Sequence, residues 1–138
     1  MPGYSGTPLP KKLGIKDGFR VHFVAAPSEV LAELKTELAA CQTVRDQKTP
    51  LDFAHVFSSS RAELTREFKR ISKQLAPAGM LWVSWPKKSS GVATDLDDNV
   101  VREIGLAAGL VDVKVCAVTE VWSGLKFVRR VKDRVTRE

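Results

Sequence analysis

The chain has 138 residues, of which 43% are hydrophobic and 28% charged, and its formal net charge is +6. This composition is that of one folded domain with a core of its own, and it excludes a disordered or fibrous protein. No apolar stretch reaches the roughly 18 residues that a membrane span needs, and no secretory signal pattern opens the chain. Two cysteines and two histidines, spaced far apart, predict no structural metal site. We therefore expect a cytoplasmic protein without membrane association.

The predicted elements start after an extended N-terminal arm, residues 1–17, which is rich in proline and glycine. Its one helical turn, Pro10–Leu13, ends at a glycine. A first strand is predicted over Arg20–Ala25, where valine and phenylalanine are frequent. A helix then runs from a capping serine, Ser28, through Cys41. Its apolar stripe consists of Leu31, Leu34 and Leu38.

A second strand and the most regular helix of the chain occupy its middle. The strand is Leu51–Phe57, and a capping box of Ser60 and Glu63 opens the helix. We expect Pro77 and Gly79 to end this helix. Its apolar side chains repeat at helical spacing and are Leu64, Phe68, Ile71 and Leu75.

The last part of the chain predicts a buried strand, a loop, a helix and a hairpin. Met80–Trp85 is apolar on both faces, as a central parallel strand is. A long loop leads to a helix over Asp95–Ala108, with Thr94 as its cap and Gly109 just beyond its end. Two β-rich runs then turn around Ser123–Gly124 as an antiparallel hairpin; they are Val111–Trp122 and Leu125–Val131.

The order of elements, β-α-β-α-β-α-β-β, predicts an α/β fold. Helices that alternate with strands place a mostly parallel sheet between two helical layers, which is a three-layer Rossmann-like arrangement. The closing hairpin adds antiparallel strands at one edge. We expect an arm over residues 1–17, a single domain over 18–131 and a basic tail over 132–138.

Several stretches resemble the class I methyltransferase domain, in the order in which that family has them. They are the lead-in to the first strand (Leu13–Val21), a strand opening with an aspartate (Leu51-Asp52-Phe53) and a strand entry of the Leu-x-Pro type (Leu75–Val83). The closing hairpin resembles the reversed last strand of the family. The resemblance implies a methyltransferase-like fold.

Two departures from that family concern its cofactor, S-adenosylmethionine. In the family a glycine-rich turn follows the first strand, because only glycine lets the backbone approach the cofactor closely. Here the turn is Ala25-Ala26-Pro27-Ser28, and Pro27 carries no N–H. The stretch between Glu37 and Leu51 also leaves no room for the further strand whose acid holds the ribose hydroxyls. We therefore expect no cofactor, S-adenosylmethionine included.

Over nearly its whole length the chain also resembles a small bacterial family that is described as a domain of unknown function. The matching segments are Pro2–Leu9 with Lys12–Ile15, Trp85–Val92 with Thr94–Leu96, and Val115–Val118 with Trp122–Leu125. This second resemblance implies no activity.

Ligands of open α/β sheets bind beyond the carboxyl ends of the parallel strands. Three predicted strand ends meet there, and each runs into a helix whose N-terminal N–H groups favour an anion. The candidate ligand-binding residues are Ser28, Ser58, Ser59, Ser60, Trp85, Lys87, Lys88, Ser89, Ser90 and Gly91. The alternative is that these residues are helix caps and solvated loop positions. No catalytic residue and no metal ligand is assigned.

The main hypothesis is a non-catalytic binding module for a small anionic ligand such as phosphate, rather than an enzyme. A diverged S-adenosylmethionine-dependent methyltransferase-like protein is the first alternative, and a protein or nucleic-acid interaction domain is the second. Nucleic acid is not the expected partner, because aromatic residues are not interleaved with the basic clusters near the two ends of the chain. A homo-oligomer or a protein partner is left open.

Overall fold

Six strands form a single sheet in the computed structural model, which describes residues 7–134 of the chain. Across the sheet the strand order is β2-β1-β3-β4-β6-β5; strands β1 to β4 are parallel, and β6 runs antiparallel to both of its neighbours. In chain order the strands are β1 (Arg20–Val24), β2 (Gln42–Thr43), β3 (Leu51–Phe57), β4 (Leu75–Pro86), β5 (Leu110–Ala117) and β6 (Trp122–Arg129). The prediction of a mostly parallel sheet with a C-terminal antiparallel hairpin is confirmed.

In the part of the chain that the structure describes, five α-helices flank the sheet. Helices α4 and α5 pack on one face, while α1 and α2 pack on the other, so the expected three layers are present. The helices are α1 (Leu9–Leu13), α2 (Ser28–Glu33), α3 (Lys35–Leu38), α4 (Arg61–Ser72) and α5 (Asp98–Ala107). Residues 1–6 of the predicted arm and 135–138 of the predicted tail lie outside the described residues, and the division into arm, domain and tail stays a prediction.

Strand β2 was not predicted, and the statement that no further strand fits between Glu37 and Leu51 is wrong. Gln42 and Thr43 pair in parallel with the start of β1. Both residues are exposed, and a strand of two residues has no apolar alternation that a sequence pattern can reveal.

The first predicted helix is broken into two, α2 and α3. Leu34 lies between them with φ −96° and ψ 0°, and its side chain is fully buried. The buried stripe therefore uses Val30 and Leu34, whereas Leu31 is 38% exposed. Pro27, not Ser28, stands at the cap position, and no side chain caps this helix.

Helix α4 ends at Ser72 instead of continuing to Pro77. The proline lies within β4, where it is tolerated because the ladder between β3 and β4 is interrupted there: Leu51 pairs with Leu75, but Phe53 pairs with Met80. The predicted cap is confirmed, since the Ser60 hydroxyl accepts the Glu63 N–H at 3.3 Å.

Two boundaries in the last part of the chain also differ from the prediction. Asp97, not Thr94, caps α5 by accepting the Val100 N–H at 2.8 Å. The hairpin turns over residues 118–121, and Gly124 lies inside β6. A Cβ at Gly124 would approach the Val118 side chain to 2.8 Å, so this glycine is there for close packing and not for a turn.

Among residues 7–134, none of the helices combines the length and the apolar composition that crossing a bilayer requires.

A packing test of this fold uses Gly105 of α5, where a Cβ would overlap the ring of Phe127. Replacing Gly105 by alanine should cost about 1–3 kcal/mol through overpacking, because the new Cβ displaces a ring that also contacts Phe68 edge-on at 5.1 Å. The gain of about 1 kcal/mol that alanine has over glycine in a helix offsets part of this cost. The net decrease in the free energy of unfolding should therefore be up to about 2 kcal/mol. Urea denaturation measures it. In a Phe127→Leu background the loss should shrink or reverse, and an equal loss in both backgrounds would contradict the contact.

Candidate functional site

The strand order of the sheet changes direction between β1 and β3. From β1 the chain passes through α2 and α3 to β2 on one side, whereas β3 leads through α4 to β4 on the other. Val24 at the end of β1 pairs with Val56 of β3, so the two strands end side by side. Ligands of doubly wound sheets bind at such a switch point, and the crevice beyond these two strand ends is the first place to look for a site.

The turn after β1 has the backbone conformation that a glycine usually supplies. Ala25 has φ +56°, and it is the one residue other than glycine with a positive φ among residues 7–134. Ala25 is exposed and is followed by a second small residue, Ala26. The two residues that follow β1 therefore carry side chains no larger than a methyl group.

The three serines after β3 serve the start of α4. The Ser58 hydroxyl donates to the Ser60 carbonyl and accepts the Ser60 N–H, both at 3.1 Å. In the loop between β4 and α5, the Asp95 carboxylate accepts the Arg61 N–H at 2.7 Å. Thr94 donates to the Ser59 carbonyl at 2.7 Å. Donors at this helix end are thus already bound by the chain itself.

The loop after β4 forms a separate groove of about 920 Å³. A short 3₁₀ turn, Lys88–Ser90, ends at Gly91, and the Ser90 hydroxyl holds it by donating to the Lys87 carbonyl at 2.6 Å. Three carboxylates line the groove together with the lysines, so its charge is mixed. They are Asp95, Asp97 and Asp98.

The structure brings together only part of the predicted ligand-binding set. The groove is lined by four of its members, Trp85, Lys87, Lys88 and Gly91. Ser89 and Ser90 belong to the same loop, Ser58–Ser60 connect to it through Thr94 and Asp95, and Ser28 lies apart at the start of α2. The assignment of these residues to a ligand stays a prediction. Sequence reasoning missed Ala25, because no residue type in that turn signals a positive φ.

The segment after β2 does not continue along the sheet. Its acid, Asp46, accepts the backbone N–H groups of Lys48 and Thr49 and the Thr49 hydroxyl, and these hydrogen bonds hold its pKa below the ordinary value. Gln74, just before β4, donates to the Asp46 and Thr49 carbonyls. This loop therefore returns to the amino-terminal edge of the sheet, and Asp46 does not point at the crevice beyond β1.

His55 is buried in the middle of β3, where it lies 2.7 Å from the Ser84 hydroxyl and stacks on Phe57 with ring centroids 4.1 Å apart. Its Nδ1 has no hydrogen-bond partner among the described residues. Burial lowers the pKa of His55 to about 3. The His55–Ser84 pair is thus a neutral part of the core, closed to substrate.

Comparison with known proteins gives structural neighbours but no sequence family: no protein-family model and no curated protein sequence matches the chain. Magnesium protoporphyrin IX methyltransferase from Synechocystis PCC 6803, solved with bound S-adenosylmethionine, has a TM-score of 0.57 at 10% identity over 88% of this chain and 74% of its own. A precorrin-6y C5,15-methyltransferase from Geobacter metallireducens has a TM-score of 0.57 at 11% identity over 88% and 86%. A SAM-dependent methyltransferase from Aquifex aeolicus has 0.54 at 15% over 85% of each. The chain therefore has a methyltransferase-like Rossmann fold.

These neighbours contradict two expectations from the sequence. The main hypothesis of a non-catalytic anion-binding module is contradicted, because the structural neighbours reported above are methyltransferases and favour the methyltransferase-like alternative. The exclusion of the cofactor is wrong as well, since this fold has been solved with S-adenosylmethionine and with S-adenosylhomocysteine bound. The exclusion relied on a missing glycine turn and on a missing further strand. Ala25 reaches the left-handed conformation without a glycine, and β2 lies in the stretch that was expected to hold no strand.

Because His55 is buried, we expect the free energy of unfolding to depend on pH. Because its pKa is about 3 in the folded protein and about 6.5 when unfolded, only the unfolded state takes up a proton between these values. The contribution of His55 to stability should therefore be constant well above pH 6.5 and fall as pH decreases below it, approaching about 1.4 kcal/mol per pH unit. Chemical denaturation at a series of pH values measures this.

The control variant is His55→Leu combined with Ser84→Ala, which removes both polar partners together. Its stability should be nearly flat between pH 6.5 and 4. Asp52 does not disturb this window, because hydrogen bonds from Arg20 hold its pKa below the ordinary value, so its contribution is lost at lower pH. The same slope in both proteins would exclude His55 as the cause.

Proposed function

We propose that the chain is a diverged methyltransferase-like protein that binds S-adenosylmethionine, or its demethylated product, in the crevice beyond β1 and β3. The observation that carries the proposal is the left-handed backbone at Ala25, at the switch point of the sheet. Neighbours of the same fold, solved with these two adenosyl compounds bound, support it. We further propose, from the sequence resemblance, that the chain belongs to the small bacterial family and acts in the cytoplasm.

One feature of the crevice fits S-adenosylmethionine, and another departs from the class I methyltransferase family. The methyl side chains of Ala25 and Ala26 favour a close approach to the backbone, and Ser59, which is exposed, follows the end of the neighbouring strand β3. Pro27 supplies no N–H, and the first acid after β2, Asp46, is held in its own turn at the opposite edge. We therefore expect contacts from the backbone of the turn after β1 and from the end of β3, without a carboxylate for the ribose hydroxyls.

S-adenosylmethionine would supply an electrophilic methyl group on sulfur at this edge of the sheet. The residues that we assign to the crevice, Ala25, Ala26 and Ser59, carry methyl and hydroxymethyl side chains and so offer no general base. Each of the two strands carries a histidine two residues before its end: His55 is buried and paired with Ser84, and His22 lies 3.0 Å from the Val44 carbonyl oxygen through its Nδ1. This chain's own contribution is accordingly to bind and orient the cofactor and to keep the core beneath it dry.

Titration calorimetry with S-adenosylmethionine and with S-adenosylhomocysteine tests the proposal. Ala25→Gly should bind at least as tightly as the unmodified chain and should be more stable by about 1 kcal/mol, because alanine is strained at a positive φ. Ala25→Asn keeps the conformation accessible but adds a side chain at the point of closest approach, and its affinity should fall at least about tenfold, or 1.4 kcal/mol.

Lys87→Ala combined with Lys88→Ala serves as the matched control. These lysines line the neighbouring groove beyond β4 and not the crevice, so the affinity should stay unchanged. Absence of binding heat with both compounds in all variants contradicts the proposal, and loss of binding confined to the lysine variant would move the site to the groove.

A further inference from the structure

Four cations form a stripe on the solvent face of α4, and they are Arg66, Lys69, Arg70 and Lys73. Their spacing of three and four residues places them on one side of the helix, opposite the buried face. With Lys48 from the returning loop they line a groove of about 470 Å³. Lys69 and Lys73 also line a second groove of about 610 Å³ between α4 and α5.

The C-terminal segment adds cations next to this stripe. Arg129 at the end of β6 donates to the carbonyls of Ser72 and Leu75 at 2.7 and 2.8 Å, which fastens it to the end of α4. A 3₁₀ turn, Val131–Asp133, follows directly, and Arg134 donates to the Arg129 carbonyl at 3.0 Å. The exposed cations of this segment therefore lie at the same amino-terminal edge of the sheet. We call the whole set the basic edge: Lys48, Arg66, Lys69, Arg70, Lys73, Arg130, Lys132 and Arg134.

Few cations of the basic edge are paired with a carboxylate among residues 7–134, although Asp133 and Glu103 lie close to some of them. Glu67 pairs with Arg70 at 2.8 Å, and the Asp46 carboxylate is bound within its own turn. Lys48, Arg66, Lys69 and Lys73 form no salt bridge within residues 7–134. Uncompensated cations so close together repel one another, and a polyanion relieves this repulsion by neutralising several of them at once.

The shape of the basic edge favours a duplex over a single strand. From Arg66 to Lys73 the helix rises about 10 Å, and a duplex presents one phosphate charge per about 1.7 Å of its axis, so the stripe faces several phosphates. A single strand is usually held by stacking its bases on aromatic rings. The large apolar side chains exposed among the described residues are all aliphatic, and Val131 is the one that belongs to this edge.

We propose that the basic edge binds the phosphate backbone of a double-stranded nucleic acid without reading its bases. The expectation that nucleic acid is not a partner considered clusters along the chain, whereas the fold assembles this edge from three separate segments, residues 48, 66–73 and 130–134. Binding here needs no cofactor and uses none of the residues of the crevice beyond β1.

Fluorescence anisotropy with a short labelled duplex, as RNA and as DNA, tests the proposal across a range of salt concentrations. Lys69→Gln combined with Lys73→Gln should weaken duplex binding at least about tenfold at low salt. The log–log salt slope should become shallower by nearly 2, since each lost phosphate contact contributes about 0.9. The matched control, Lys87→Gln combined with Lys88→Gln, removes the same charge from the loop beyond β4, at the opposite end of the strands, and should bind within about twofold of the unmodified chain.

Three outcomes would overturn the proposal. An equal loss in the control pair would show attraction by net charge alone. Tighter binding of a single strand than of the duplex would contradict the backbone geometry. Binding to vesicles of anionic lipid with no binding to duplex would assign the edge to a membrane surface. Thermal midpoints verify that the variants fold, and Lys48→Gln with Arg66→Gln is the second variant pair for the same edge.

Discussion

Burial of β3 and β4 on both faces is the constraint on which the rest of the structure depends. Ala54 and Val56 contact the layer of α4 and α5, while Phe53, Phe57 and Trp82 contact the layer of α1 and α2. The Trp82 indole N–H reaches across 69 residues of sequence to the Leu13 carbonyl at 2.9 Å and so ties the first helix to the centre of the sheet. Because helices cover both faces, two surfaces at the strand ends are left for function: the edge at the carboxyl ends of the parallel strands and the edge at their amino-terminal ends. These two surfaces differ in chemical character.

The two edges are connected by α4. This helix begins at the carboxyl edge, where Ser60 and Asp95 bind its first N–H groups, and ends at the basic edge, where Arg129 binds the carbonyl of its last residue, Ser72. Twelve helical residues separate the two by about 18 Å. The cofactor crevice and the nucleic-acid surface are therefore separate proposals, and the loss of one leaves the other intact. A nucleic acid on the basic edge would have to extend along α4 to bring a base near the crevice.

The parts of the fold that sequence patterns predicted are those with strong local signals. Strand β3 has continuous apolar character, and α4 has a capping serine and a regular stripe; both were placed within a few residues. Strand β2 has two exposed residues and no pattern, so only its pairing with β1 defines it. The break at Leu34 and the position of Pro77 within β4 depend on tertiary packing and on an interrupted ladder, which override local propensity.

In the site, the crevice was predicted in outline from topology. The positive φ of Ala25 was not, because alanine does not signal it, and the basic edge was not, because its members are distant in sequence.

The central claim is that the cofactor lies beyond β1 and β3 and not in the groove of Lys87 and Lys88. Amide chemical-shift mapping on isotope-labelled protein, titrated with S-adenosylhomocysteine, tests it most directly. We expect the largest shifts at Ala25, Ala26 and the serines that follow β3, with small changes over residues 86–98 and at the basic edge. Shifts concentrated in residues 86–98, or none at saturating ligand, would contradict the account.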